Sequence, residues 1–183
     1  MTANQPLSGG INMSKKEKVI DVLNQARAME LLAIGQYMNQ HYGLDDADFG
    51  ELAAQVKLIA IDEMQHAEKF AERVKELGGE PVSEMPDAVQ KGQKVQVVFT
   101  FDAKLEDDTV DAYNEFLKIC TENGDSISAK IFEDIIAEEQ EHFNYFDNVR
   151  SHIDELGPAY LARIAGTSSA TGLNTMGFVA RKA

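Results

Sequence analysis

Glu63 and His66 stand three residues apart, and so do Glu139 and His142. Another glutamate lies 33 residues before each pair: Glu30 before Glu63, and Glu106 before Glu139. The two sets share one offset, since each member of the second follows its counterpart by 76 residues. Two of the chain's four histidines belong to this repeat. An i, i+3 spacing stacks two side chains on one face of a helix. The repeat therefore asks for two similar helical hairpins, each presenting an acid and an imidazole on one face.

The rest of the chain permits that arrangement. Prolines occur only at Pro6, Pro81, Pro86 and Pro158, so two long tracts are free to be helical. Ser14-Lys15-Lys16-Glu17 has the form of a capping box. A first helix is predicted from there to about Tyr42, stopped by Gly43, with Val19, Leu23, Ala26, Glu30, Ala33 and Tyr37 along its inner stripe. A second runs from about Asp48 to Leu77, its inner stripe including Leu52, Val56, Ile59, Glu63, His66 and Phe70. The short link between them implies an antiparallel hairpin.

Residues 79–101 break the periodicity. Gly79, Pro81, Pro86 and Gly92 precede an alternating run at Val95, Val97, Phe99 and Phe101. Alternation suits a strand, but no second strand is evident to pair with it. The segment is read as an extended crossover between the two hairpins. A third helix is expected from about Asp102 to Asn123, with Glu106, Thr109, Tyr113, Leu117 and Cys120 inward. A fourth runs from about Asp125 to Leu156, with Ile131, Ile135, Glu139, His142, Phe146, Val149 and Ile153 inward. Gly157-Pro158 ends it, and 159–164 forms a short fifth helix. The sequence thus divides into an N-terminal arm over 1–13, an all-α domain over 14–165 and a small-residue tail over 166–183. The fold class is an antiparallel four-helix bundle with one long crossover and a short fifth helix.

Four carboxylates on the inner stripes of one bundle are prohibitive if bare. Two divalent cations balance them. Glu63 and Glu139, each beside a histidine, are placed to bridge two metals, with Glu30 and Glu106 each on one metal and His66 and His142 each supplying one nitrogen. Mixed oxygen and nitrogen donors suit Fe, Mn or Zn, while oxygen alone favours Ca or Mg. A single Glu-x-x-His is most often a solvated pair on a helix surface. Two copies on apolar stripes, each preceded by a glutamate at equal distance, are not. Crowding of the carboxylates also implies that removing one of them, such as Glu139, stabilises the metal-free fold.

Composition narrows the partners. The net charge of −14 disfavours nucleic acid, whose phosphates need Lys and Arg, and suits a protein that gathers cations. Cys120 is the only cysteine, which rules out an intrachain disulfide, and its apolar neighbours point to a buried thiol. No run of 18 apolar residues and no signal core is present, so the expected location is the cytoplasm, without a membrane partner.

At these residues the chain resembles the bacterioferritins, over about 14–164. Ile61-Asp62-Glu63-Met64-Gln65-His66-Ala67-Glu68 is similar to that family's second-helix signature, and Tyr37 matches a tyrosine the family keeps near its metals. The resemblance implies a ferritin-like fold and a di-iron ferroxidase centre at Glu30, Glu63, His66, Glu106, Glu139 and His142. It implies oxidation of Fe²⁺ to Fe³⁺ by O₂ or H₂O₂, storage of ferric mineral in a 24-subunit homo-oligomer, and a possible electron-donor protein. It also implies haem, ligated by Met64 and its symmetry mate across a two-fold dimer interface. Met64 follows Glu63 directly and is rotated about 100° from it, off the bundle core. Its face carries Ala53, Ala60, Ala67 and Ala71, opposite Leu31, Ile34, Gly35 and Met38 on the first helix, which leaves room for a flat partner. An ordinary helix–helix contact is the alternative for this methionine. The nearest rival function is a rubrerythrin-like peroxide-reducing protein, which usually adds a cysteine-rich iron site that one Cys does not supply. A DNA-protecting mini-ferritin places its metals between subunits and needs no double set. A metal-free helical module leaves six inward polar residues unexplained.

Overall fold

A computed structural model describes residues 13–172 and 176–181. Four long helices are formed: α1 Lys15–Asp46, α2 Gly50–Glu76, α3 Val95–Glu122 and α4 Ser126–Leu156. A short α5, Pro158–Ile164, and a single 3₁₀ turn, Val179–Arg181, follow. Among the described residues there is no strand, only one isolated bridge between Phe49 and Thr167. No helix among them is long and apolar enough to cross a membrane. Residues 1–12 of the expected N-terminal arm lie outside the described residues.

The helix ends follow from local chemistry. Ser14 and Glu17 close the capping box in both directions, at 3.2 and 2.7 Å. Asp125 caps α4 by accepting the Ser128 amide at 2.9 Å, and Arg73 clamps both of its oxygens at 2.9 Å. That pair ties the end of α2 to the start of α4. The hairpin register of α1 on α2 is set by polar side chains. Arg27 Nη1 donates to the Ala67 carbonyl at 2.6 Å, and His41 Nδ1 lies 2.9 Å from the Ala53 carbonyl.

Two boundaries differ from the sequence reading. Gly43 does not stop α1, which continues to Asp46. The chain turns instead at Asp48, which takes a left-handed φ of 67°. The helix start expected near Asp102 lies at Val95. The run Val95, Val97, Phe99, Phe101 is neither strand nor extended crossover. Within it Val95, Val98, Phe99, Asp102, Ala103 and Glu106 are buried, a helical period that continues into the site, while Val97 is half exposed. Packing here overrides the alternation and the β-branched side chains. The irregular crossover is correspondingly shorter and lies against α1. Asn24 bonds the Val82 amide and Glu80 carbonyl, and Gln36 bonds both the amide and the carbonyl of Gln90.

The apolar core is in two parts. One cluster contains Leu52, Ile59, Phe99 and Phe146, and the other Leu23, Phe70, Tyr113 and Phe132. Along every long helix the six residues of the repeat fall between these clusters. Each fully buried Phe or Leu contributes about 1.5–3 kcal/mol relative to exposure, which offsets the polar layer at mid-bundle.

Candidate metal centre

One residue from α1, one from α3 and two each from α2 and α4 converge at the middle of the bundle. Glu30, Glu63, His66, Glu106, Glu139 and His142 are all buried, none more than 2% exposed. Their donor atoms form two overlapping groups: Glu30, Glu63, His66 and Glu139, then Glu63, Glu106, Glu139 and His142. Within each group, the donors lie within 4.8 Å of one another. Glu63 and Glu139 belong to both groups, and each remaining residue belongs to one. The imidazoles stand 6.0 Å apart with planes inclined by 29°.

Both histidines turn Nδ1 inward. His66 Nδ1 is 2.9 Å from Glu63 and 3.1 Å from Glu139, and His142 Nδ1 is 3.0 Å from Glu139 and 3.1 Å from Glu63. Each Nε2 points away, to Glu138 for His66 at 3.0 Å and to Asp62 for His142 at 3.2 Å. A carboxylate that takes the outer N–H fixes the tautomer and leaves Nδ1 as the inward donor. The terminal glutamates are held by tyrosines of the opposite hairpin. Tyr37 Oη donates to Glu106, and Tyr113 Oη donates to Glu30 at 2.5 Å.

The electrostatics are those of four buried carboxylates crowded around two imidazoles. Burial, then repulsion from Glu139 and Glu63, raises the Glu30 carboxyl well above its ordinary range. Burial, Glu63 and Glu139 do the same to Glu106. For His66, burial opposes protonation but is outweighed by Glu139 and Glu138, and the net shift is well upward. His142 shifts the same way, burial being outweighed by Glu63 and Asp62. Glu139 moves down despite its burial, because two imidazoles face it. Glu138, hydrogen-bonded to His66, is lowered to about 2. Glu63 Oε1 and Glu139 Oε1 are buried and accept no hydrogen bond, although each lies 3.1 Å from a histidine nitrogen. Orphaned carboxylate oxygens in a donor set of this composition fit divalent cations.

Three features here were not singled out from the sequence. Tyr113 stands to Tyr37, and Glu138 to Asp62, at the same offset of 76 residues that relates the six. The repeat therefore includes the groups around the site, and the offset alone was enough to find them. The third is the tail, whose Val179 amide donates to Asp62 at 2.9 Å. Cys120 is fully buried, its thiol pushed up to about 12 by that burial, and it takes no part.

Met64 is 56% exposed, whereas its neighbour Glu63 is 1% exposed, so the two side chains leave α2 on different faces. The small-residue face expected around Met64 is different, however. Ala53, Ala60 and Ala67 are buried within the chain, where Arg27 and His41 of α1 meet the backbone of Ala67 and Ala53. Gly35 lies under the crossover, with space for a Cβ limited by Val89 at 3.1 Å. Of the four alanines only Ala71 stays partly exposed, and the surface left beside Met64 is half-buried Ile61 and Ala71 with exposed Gln65 and Glu68.

The Ferritin-like domain family matches residues 20–156. A curated bacterioferritin from Desulfovibrio desulfuricans is 60% identical over 170 residues, covering 93% of this chain and 95% of that protein. A crystal structure of the bacterioferritin of that organism, which has a diiron site described in different catalytic states, superposes with a TM-score of 0.86. It is 61% identical and covers 90% of this chain and 96% of its own. The Mycobacterium tuberculosis bacterioferritin BfrA superposes with a TM-score of 0.78 at 32% identity, covering 84% and 97%.

Proposed function

The chain belongs to the bacterioferritin family, and on that premise we infer that it is an iron-storage ferroxidase. It oxidises Fe²⁺ to Fe³⁺ at a di-iron centre within each subunit and keeps the ferric product inside a ferritin-type shell. The observation that carries this reading is the pair of overlapping four-donor groups that share Glu63 and Glu139. The reading assigns Glu63 and Glu139 to both irons, Glu30 and His66 to one, and Glu106 and His142 to the other. Bound iron supplies the redox chemistry. The protein holds Nδ1 of each histidine inward, keeps water out with the two apolar clusters, and steadies the terminal carboxylates through Tyr37 and Tyr113. Four carboxylates neutralise two Fe²⁺, and each iron gains a further charge on oxidation.

Further parts of the proposal are a closed shell of 24 subunits, O₂ or H₂O₂ as oxidant, an electron-donor protein for release, and a cytoplasmic location. The expected result for purified protein is a single large species in sedimentation, with Fe²⁺ added in air oxidised rapidly and retained in that species. A monomer or dimer that leaves ferric hydroxide in free solution overturns the storage reading.

Haem is the second cofactor proposed, on Met64. The exposed thioether, with half-buried Ile61 one turn before it on the same face, would offer haem a sulfur ligand, and a second copy of the chain would supply the other. The variant Met64→Leu keeps the volume and removes the sulfur. Its purified shell is expected to lose the visible haem bands and to keep rapid Fe²⁺ oxidation, because Glu63 faces the other way. A full haem content in the variant assigns the ligand elsewhere.

A further inference from the structure

The two halves of the centre repeat one another as far as the outer histidine nitrogens and diverge beyond them. His66 Nε2 meets Glu138, which is 30% exposed and paired at 3.3 Å with the ammonium of Lys69. His142 Nε2 meets Asp62, which is 4% exposed. The cover over Asp62 is the C-terminal tail. Thr167 Oγ1 accepts the Glu51 amide at 2.8 Å, and the Gly166 amide donates to the Asp48 carbonyl at 2.9 Å, so the tail starts beside the first turn of α2. Further on, the Phe178 amide donates to the Leu58 carbonyl at 3.2 Å and the Val179 amide to Asp62 Oδ2 at 2.9 Å. The Phe178 ring stands edge-on to His142 at 6.0 Å and against Tyr145 at 5.1 Å. At position 177 a Cβ would overlap the Asp62 carboxylate, so only glycine lets the tail lie where it does. Tyr145 occupies the place in the second hairpin that Lys69 occupies in the first. Where one half has a solvated cation, the other has an aromatic ring on which the tail docks.

We propose that the segment Gly177–Arg181 is a strap that positions the metal centre: it locks Asp62 onto His142, making that half rigid and closed. The half built on His66, Glu138 and Lys69 is left as the side open to arriving cations. This rests on the reading of the six buried residues as ligands of two metals. Orientation of a metal-binding imidazole by its outer hydrogen bond is worth about 10- to 100-fold in metal affinity. Asp62 gives its oxygen to His142 without a competing cation, whereas Glu138 divides its charge between His66 and Lys69. The two metal sites of one chain are therefore unequal, with the His142 site the tighter.

Titration of the metal-free shell with Co²⁺, followed by its visible absorption, tests this without any turnover. Two binding constants per chain are expected in the parent. Gly177→Ala forces the strap off Asp62, and Val179→Pro removes the amide donor and turns the ring Cδ toward the Asp62 oxygen it bonded. Each is expected to weaken one Co²⁺ by about tenfold or more and to leave the other within about twofold. The weakened Co²⁺ should be the one also lost in Glu106→Ala, because Glu106 belongs to the His142 group alone. Two variants that leave both constants unchanged, or shift both equally, overturn the strap while the ligand assignment stands. A parent that binds no Co²⁺ pair, or a pair that survives Glu139→Ala, overturns the ligand assignment and the strap with it.

Discussion

Glu139→Ala is expected to slow fast Fe²⁺ oxidation by at least about a hundredfold, and Glu63→Ala to do the same. Each of these carboxylates belongs to both donor groups, so its loss affects both irons. Glu30→Ala and Glu106→Ala each touch one group and should cost about tenfold. The same order should hold for stabilisation by metal. A ligand that binds only the folded state raises the melting temperature in proportion to its affinity. Parent protein should therefore gain most on addition of Zn²⁺, the terminal variants less, and Glu139→Ala least. Equal gains in parent and Glu139→Ala, with matching oxidation rates, would show that these residues hold no metal.

The metal-free fold responds differently from what carboxylate crowding alone implies. Removing Glu139 does not simply relieve repulsion, because Glu139 faces both imidazoles at 3.0–3.1 Å and its own carboxyl is shifted downward. Without it, two buried histidines lose a shared counter-charge, and breaking a buried pair on one side is destabilising. The metal-free Glu139→Ala protein is expected to melt below the parent. Relief of repulsion is confined to Glu30 and Glu106, whose carboxyls are driven upward.

How much of this was readable beforehand depends on which interactions set each feature. The inward stripes and the six convergent residues follow from periodicity and one offset, both local properties of the chain. The same offset relates Tyr37 to Tyr113 and Asp62 to Glu138, so these supporting groups were readable as well once the repeat was extended past the acids and imidazoles. The start of α3 was hidden because Val95, Val97, Phe99 and Phe101 alternate like a strand. The burial of Val98, Asp102 and Ala103, which makes the segment helical, comes from packing against the other helices. The spacing of the alanines near Met64 is local and reads as an open face, while their cover by α1 is a matter of hairpin register. The tail carries no period at all. Its place is set by contacts such as Gly177 on Asp62, more than a hundred residues apart in sequence, and no local pattern encodes them.

Charging the site with two divalent ions is expected to release protons from Glu30, Glu106, His66 and His142, the four groups whose affinity for protons folding raises. All four bind protons more tightly in the metal-free fold than in the unfolded chain, and all four must give them up to a metal. The consequence for stability has a definite sign. A group whose pKa is raised by folding contributes stability fully below its unfolded value, and loses that contribution as pH rises through its folded value. The unfolded values are about 4.3 for Glu and 6.5 for His, so the metal-free melting temperature should fall as pH rises above about 4.3 for the two glutamates and, further, above about 6.5 for the two histidines. Glu138 and Glu139 are shifted down, and their contributions are lost only in acid, below this window. Saturating Zn²⁺ should flatten or reverse the decline, since metal binding strengthens as the ligands deprotonate. Glu30→Gln isolates one of the four. The amide imitates a neutral carboxyl and can still accept from Tyr113, so the metal-free variant should match the parent near pH 4, below the unfolded Glu value of about 4.3, and melt increasingly above it as pH rises. Calorimetry in two buffers of different ionisation enthalpy counts the released protons, and thermal melts with chelator or Zn²⁺ follow the rest. Release of fewer than one proton per metal pair, or a metal-free melting temperature that rises with pH, would mean that these four groups are already deprotonated in the resting bundle.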